Sequence, residues 1–312
     1  MNVEGPRNLA ASVMARLKNI ASARGEDVQL LMTRFAIERF LHRLERAGHG
    51  REFVLKGAML FVVHGGWPYR PTRDLDLLTF GDASAGSLGA VVREACICPV
   101  EDDALRFDPD SIHVQAIREG QQYQGQRVEM IVYLDRARIR LQIDIGFGDA
   151  VVPPPDELDY PSLLGFPTPR IRAYPQEAVV AEKVEALVNL GAINSRMKDY
   201  YDLWALSAKL AFRGTALSQA LRATFERRAT KLPDAPLPGL TSAFAVEHEG
   251  MWQGFLRRTS LTAGTPTLAA VVSAVAAFVL PPLAANRDDV RFDLDWPPGG
   301  PWRKNSGDLD ER

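Results

Sequence analysis

Two aspartates one residue apart, Asp74 and Asp76, follow a lysine-glycine turn in the run Phe53-Val-Leu-Lys-Gly-Ala58. In a strand, successive side chains go to opposite faces, so Asp74 and Asp76 project together while Leu75 and Leu77 point the other way. Two carboxylates that close repel each other, and the arrangement asks for a divalent cation, most naturally Mg2+ shared with a nucleotide's phosphates. The chemistry this implies is nucleotidyl transfer.

Further charged residues fall where apolar ones are expected. Arg138 to Phe147 alternates strictly, with Ile139, Leu141, Ile143, Ile145 and Phe147 on one face and Arg138, Arg140, Gln142 and Asp144 on the other, which makes Asp144 a third acid on a polar face. On a helix expected over Glu177–Asn189, Val180, Val184, Leu187 and Val188 form an apolar arc that also holds Lys183, with Glu182, Glu185 and Asn189 opposite. A buried ammonium must find an anion, either a core carboxylate or a ligand phosphate. The next helix, Arg196–Leu210, repeats the pattern: Asp199 falls among Tyr200, Leu203, Leu206 and Leu210, Arg196 lies on the same side, and Asp202 borders the stripe. A Lys183–Asp199 ion pair joining two helices is the structural alternative. The number of inward charges (Lys56, Asp74, Asp76, Asp144, Lys183 and Asp199) favours a ligand site.

The elements that must position these groups begin with two amphipathic helices over residues 8–48, split at Arg24-Gly-Glu-Asp27. A short strand, the Lys56-Gly57 turn, a helix ending near His64 and a Gly/Pro loop through Pro71 lead to the Asp74/Asp76 strand. A Gly/Ser-rich connector over 81–89 precedes a helix near Leu88–Ala95, and Val128, Met130, Val132 and Leu134 alternate with Arg127, Glu129, Ile131 and Tyr133 in a strand. The proline-rich stretch from Pro153 to Pro175 is expected to cross between lobes, because proline is excluded from helix and central strand interiors. The pattern is then helical to about Leu283. The fold class is α+β and bilobed: N-terminal helices over 1–50, an αβ core over 51–152, a helical lobe over 153–285, and a loosely ordered tail over 286–312 in which Trp296 and Trp302 are the docking candidates.

At 312 residues and 46% hydrophobic content, the chain can bury a large core. A formal charge of −2 and a pI near 6.2 give no global field for nucleic acid, although Arg118, Arg127, Arg136, Arg138, Arg140, Arg170 and Arg172 enrich the middle in positive charge. Cys96 and Cys98 are too few for a zinc site or a disulfide framework and suit buried thiols in a reducing cytoplasm. No secretory signal or membrane span is expected: the apolar run Leu268–Leu280 is short for a span, is stopped by Pro281-Pro282, and reads as a packing helix.

Five segments together resemble the AbiEii/AbiGii family of nucleotidyltransferase-like toxins, itself similar to the DNA polymerase beta type nucleotidyltransferases. They are Phe53-Val-Leu-Lys-Gly-Ala58, Arg70-Pro-Thr-Arg-Asp-Leu-Asp-Leu77, Leu141-Gln-Ile-Asp-Ile-Gly-Phe147, Ala181-Glu-Lys-Val-Glu-Ala-Leu-Val188 and Arg196-Met-Lys-Asp-Tyr-Tyr-Asp-Leu203. The likeness runs from residue 8 to about 285. It implies a nucleotidyltransferase-type core and a toxin of a bacterial toxin-antitoxin or abortive-infection system that uses a nucleoside triphosphate with Mg2+, has a cognate antitoxin, and acts on RNA such as the 3′ end of tRNA. Carried over, Lys56 and Gly57 hold the triphosphate, Thr72 faces the nucleotide, Asp74 and Asp76 bind the metal, Lys183 contacts phosphates and Asp199 or Asp202 completes the site. Asp144 is a second metal ligand or the proton acceptor, and Arg196 is grouped with the nucleotide-binding residues. Relatives often carry Gly-Ser or Gly-Gly at the turn; Ala58 has no hydroxyl, so phosphate contact there falls to backbone N–H groups and Lys56. Protein or small-molecule nucleotidylation, or a non-catalytic antitoxin partner, are the alternatives.

Overall fold

The computed structural model describes residues 8–65, 70–119, 123–233, 236–261 and 264–304. Part of the Gly/Pro loop before Asp74, residues 66–69, and the tail end, residues 305–312, lie outside the described residues, as does the Arg118 side chain. The chain divides into two compact units: residues to Gly148 with Asp156–Ala173, and Asp149–Pro155 with everything from Tyr174 on.

The first unit is built on a seven-stranded mixed sheet of β1 (Phe53–Lys56), β2 (Asp74–Thr79), β3 (Leu105–Glu119), β4 (Tyr123–Leu134), β5 (Ala137–Phe147), β6 (Asp156–Asp159) and β7 (Arg170–Ala173), in the order β3-β4-β5-β2-β1-β7-β6. β2 runs parallel to β5 and β1 parallel to β7; the other pairs are antiparallel. The proline-rich stretch is therefore not simply a crossing. Pro153–Pro155, Pro161, Pro167 and Pro169 stand outside β6 and β7, leaving both strands free to join the sheet edge.

Helices α1 (Leu9–Arg24) and α2 (Val28–Arg46) meet at Gly25, which takes the left-handed conformation (φ 64°), and Asp27 caps α2 by accepting from the Leu30 N–H at 2.8 Å. A 3-10 turn over Gly57–Met59 leads into α3 (Leu60–Gly65). Helix α4 (Ala85–Ile97) starts earlier than its glycines suggest, because the Ser84 hydroxyl caps it by accepting from the Ser87 N–H at 3.3 Å. α2 packs against β5 and α4. It is buried almost all round, since its charges are paired inside the unit: Arg39 and Arg43 converge on Asp103 at 2.9 and 2.5 Å, and Glu38 accepts from the Ser162 hydroxyl and the Leu163 N–H at 2.8 Å. Cys96 is buried with its thiol 3.6 Å from the Met130 sulfur, and burial pushes it up to about 12, whereas Cys98 is only half-buried.

The second unit comprises α5 (Gln176–Leu190), α6 (Met197–Lys209), α7 (Gly214–Arg227), α8 (Ser242–Thr259) and α9 (Leu268–Arg287), with a small ladder of β8 (Phe212–Arg213) and β9 (Asp295–Trp296). α9 is long and apolar enough to cross a membrane by length and composition, and its Val271, Val275, Phe278 and Val279 are buried against the neighbouring helices. Pro281 and Pro282 do not end it. Packing against α7, where the Asn286 amide donates to the Ser218 carbonyl at 2.9 Å, carries the helix through the lost N–H groups.

Two further expectations are corrected here. Glu185 does not face solvent: α7 covers that side of α5, and Arg228 and Thr230 donate to the Glu185 carboxylate at 2.7 and 2.6 Å. Nor is the tail loose over residues 287–304. Trp296 donates to the Ser207 carbonyl at 2.7 Å and Trp302 to the Phe278 carbonyl at 2.9 Å, and both rings pack on Phe278.

Candidate active site

Strand register gathers the sheet unit's candidates. Lys56 pairs with Asp76, Asp76 with Asp144, and Asp144 with Arg127, so one row across β1, β2, β5 and β4 carries two cations and two carboxylates on one face. Asp74 opens the adjacent row, opposite Gln142, which is in turn opposite Glu129. The apolar sides of the same strands, Leu75, Leu77, Ile143, Ile145 and Val128, are buried and fix which face the charges take.

Gly57 makes room for Asp76. It has a φ of 71°, and a Cβ placed on it would lie 1.9 Å from the Asp76 Oδ2 and 2.6 Å from its Cγ, so the carboxylate rests directly on the glycine backbone. Gly146, beside Asp144, similarly faces the Lys56 Nζ, which would stand 3.8 Å from a Cβ there. Thr72 is buried just before β2.

Asp144 is held in a fork. Arg127 Nε and Nη2 donate to its two oxygens at 2.8 Å each, and the Gln142 amide lies 3.4 Å from both. That hydrogen bonding, with the charges of Asp144, Asp74 and Glu129, holds the Arg127 guanidinium above its ordinary value. Arg127 is the site residue that alternation alone left unassigned. A signal for it exists: counting outward from the two-residue turn Asp135-Arg136 pairs Leu134 with Ala137 and, seven residues further along each strand, Arg127 with Asp144.

The helical unit holds a separate cluster. Lys183 Nζ lies 2.8 Å from both Asp199 Oδ1 and Asp202 Oδ2, and Arg196 Nε lies 2.7 Å from Asp199 Oδ2. Burial alone would push Asp199 up, but the charges of Lys183 and Arg196 overcome it and hold the carboxyl below its ordinary value. Asp199 and Asp202 are fully buried, and the cluster ties α5 to α6. This is the geometry of the ion pair weighed above as the structural alternative.

Among the described residues no three His, Cys, Asp or Glu side chains converge as a metal-binding group. Asp74 and Asp76 nevertheless suit Mg2+, which takes one or two carboxylates and completes its shell with water and phosphate oxygens. Asp144 accepts one bond from Arg127 at each oxygen, which leaves each oxygen a further lone pair.

The family described as nucleotidyl transferase AbiEii toxin, type IV toxin-antitoxin system, matches residues 39–274, a span containing every candidate above. Among solved structures, MenT4, a nucleotidyltransferase toxin from Mycobacterium tuberculosis H37Rv, is similar at 16% identity with a TM-score of 0.49, over 89% of this chain and 99% of that one. JHP933 from Helicobacter pylori (12% identity, TM-score 0.41) aligns over 80% of this chain and 90% of its own. A putative nucleotidyltransferase from H. pylori has the same identity and TM-score, over 80% of this chain and 93% of its own. No curated protein matches. Since the family match runs through most of the chain and includes the lysine-glycine turn, the Asp-x-Asp strand and Asp144, the chain belongs to the AbiEii nucleotidyltransferase toxins of type IV toxin-antitoxin systems.

Proposed function

We propose that the sheet unit transfers a nucleoside monophosphate from a nucleoside triphosphate to an RNA acceptor, the 3′ end of tRNA being the first candidate, with release of pyrophosphate. The protein would act in the cytoplasm and be restrained by a cognate antitoxin. The observation that carries this reading is the row Lys56, Asp76, Asp144, Arg127, with Asp74 beside it and the carboxylate of Asp76 seated on Gly57.

Asp74 and Asp76 would hold Mg2+, which supplies charge neutralisation for the triphosphate and the leaving pyrophosphate. Lys56 and the backbone N–H groups after Gly57 bind phosphate oxygens, and Thr72 supports the strand entry. Asp144 orients the attacking hydroxyl and takes its proton once Arg127 is drawn off it, and a triphosphate is an anion strong enough to do so. The Lys183, Asp199, Asp202 and Arg196 cluster is read as a strut of the helical unit; the phosphate contact that the resemblance implies for Lys183 and Arg196 is separable from that role by the variants argued below.

Incubating the protein with each labelled triphosphate, in the presence of total RNA or total protein, with and without chelator, tests the reading. Label is expected in RNA, abolished by chelator and reduced about a hundredfold or more in Asp76→Asn. Label in protein and none in RNA would instead favour nucleotidylation of a protein acceptor.

A further inference from the structure

Beyond the aspartates, the same polar face continues toward the turn between β4 and β5, and there its charge changes sign. Register places Arg106 opposite Tyr133 and Tyr133 opposite Arg138, so one row sets an aromatic ring between two arginines. The Arg106 guanidinium carbon lies over the Tyr133 ring, 4.2 Å from its centroid. Arg106 and Arg138 are exposed, and Arg136 stands exposed in the turn itself.

These arginines differ from their neighbours in having no acid. Arg127 is taken by Asp144 and Arg140 by both oxygens of Glu129, whereas Arg106, Arg136 and Arg138 make no ion pair among the described residues. The nearby acids are Asp135 in the turn and Asp108, whose carboxylate accepts from the Asp110 N–H at the β3 irregularity. Three exposed cations with one ring holding a guanidinium in place form a surface for a polyanion with planar bases, since bases stack on guanidinium planes as well as on aromatic rings.

We propose that Arg106, Tyr133, Arg138 and Arg136 form the landing site for the single-stranded 3′ region of the acceptor RNA, an inference that rests on the RNA-directed reading above. From Tyr133 to Arg127 is six residues of strand, about 20 Å at the usual rise. That spans about six stacked nucleotides at 3.4 Å each. An RNA held by its backbone at this row reaches Asp144 and Asp76 with its terminal hydroxyl by following β4 and β5. An acidic protein segment would answer the charges but brings no base to the outer face of Arg106.

The test uses the full chain and a fluorescent single-stranded RNA of about a dozen nucleotides, with binding read by anisotropy across a salt series. The double variant Arg106→Gln/Arg138→Gln is expected to bind RNA at least tenfold more weakly, with the slope of log affinity against log salt reduced by about 0.7 per arginine. Tyr133→Phe keeps wild-type RNA affinity and Tyr133→Leu loses about fivefold or more, consistent with stacking. Nucleoside triphosphate binding, read by calorimetry, is unchanged in all three. Unchanged RNA affinity and salt slope in the double variant, from a wild-type protein that does label RNA, overturns this placement alone. A wild-type protein that neither binds nor labels RNA but labels protein overturns both this placement and the RNA-directed function.

Discussion

The Asp76 carboxylate lies on the bare backbone of Gly57, so near that a methyl group there would stand 1.9 Å from Oδ2. The glycine is required twice over, once for its φ of 71° and once for the space above it. Gly57→Ala is therefore expected to cost about 1–2 kcal/mol of stability and to displace the carboxylate. Thermal unfolding and label transfer measured on the same preparation check this: a small drop in melting temperature with loss of transfer is expected, and transfer at the wild-type rate would mean that Asp76 does not work from this position.

Asp74→Ala and Lys183→Met separate chemistry from support. Asp74 is exposed at the start of β2, so its removal is expected to leave the melting temperature within a degree or two while abolishing transfer. Lys183 neutralises two buried carboxylates, and its replacement takes that cation from Asp202 and leaves Asp199 with Arg196, at a cost of about 3–5 kcal/mol. Loss of activity in Lys183→Met is thus informative about phosphate binding only when the helical unit is still folded at the assay temperature. A variant that melts like wild type yet fails to bind triphosphate would show that Lys183 serves the ligand rather than the strut.

The strands carrying Asp74, Asp76 and Asp144 were legible because half-buried strands alternate, and the split between α1 and α2 because Gly25 and Asp27 are cap residues. What stayed hidden depended on partners distant in sequence. Glu185 is polar on a helix side that α7 happens to cover, and Arg228 makes that burial tolerable. Pro281 and Pro282 stop an isolated helix but not one held by α7. The Arg127–Asp144 fork needed the turn at Asp135-Arg136 to be placed before the register could be counted. β6 and β7 are four residues each, too short for periodicity to reveal between prolines.

Acid sensitivity should follow from Asp103. Burial opposes its charge, but Arg43 and Arg39 more than offset this and hold the carboxyl below its ordinary value. A depressed folded-state value stabilises the fold above the unfolded value, about 3.9, and that contribution is lost as pH falls through the folded one. The stability difference between wild type and Asp103→Asn is accordingly expected to be full and constant from pH 7 to about 5 and to shrink below about 4. Glu38, pushed up by burial and also by the Asp103 charge, works in the opposite sense, so Asp103→Asn relieves it in part and the difference carries a smaller Glu38 contribution of opposite sign. A difference independent of pH down to 3 would show that the Arg43–Asp103 pair is not the source.

The segment after α9 is expected to behave as part of the helical core. Trp296 is buried, donates to the Ser207 carbonyl of α6, and packs on Phe278 of α9 with ring centroids 5.0 Å apart, while Gly214 leaves room for Phe292 and the Leu294 carbonyl. Removing that indole opens a cavity between two helices and takes away one of the hydrogen bonds that the Ser207 carbonyl accepts, the Gly299 N–H at 2.9 Å remaining, which together cost about 3–5 kcal/mol in Trp296→Ala. A chain ending at Asp288 loses Trp296 and Trp302 together and should be destabilised further. Melting followed by near-ultraviolet circular dichroism reads both variants, since the signal reports tryptophans fixed in a packed environment. Unaltered melting in the truncated chain would mean that the tail merely lies on the surface, a result hard to square with two indole N–H groups each bonded to a helix carbonyl.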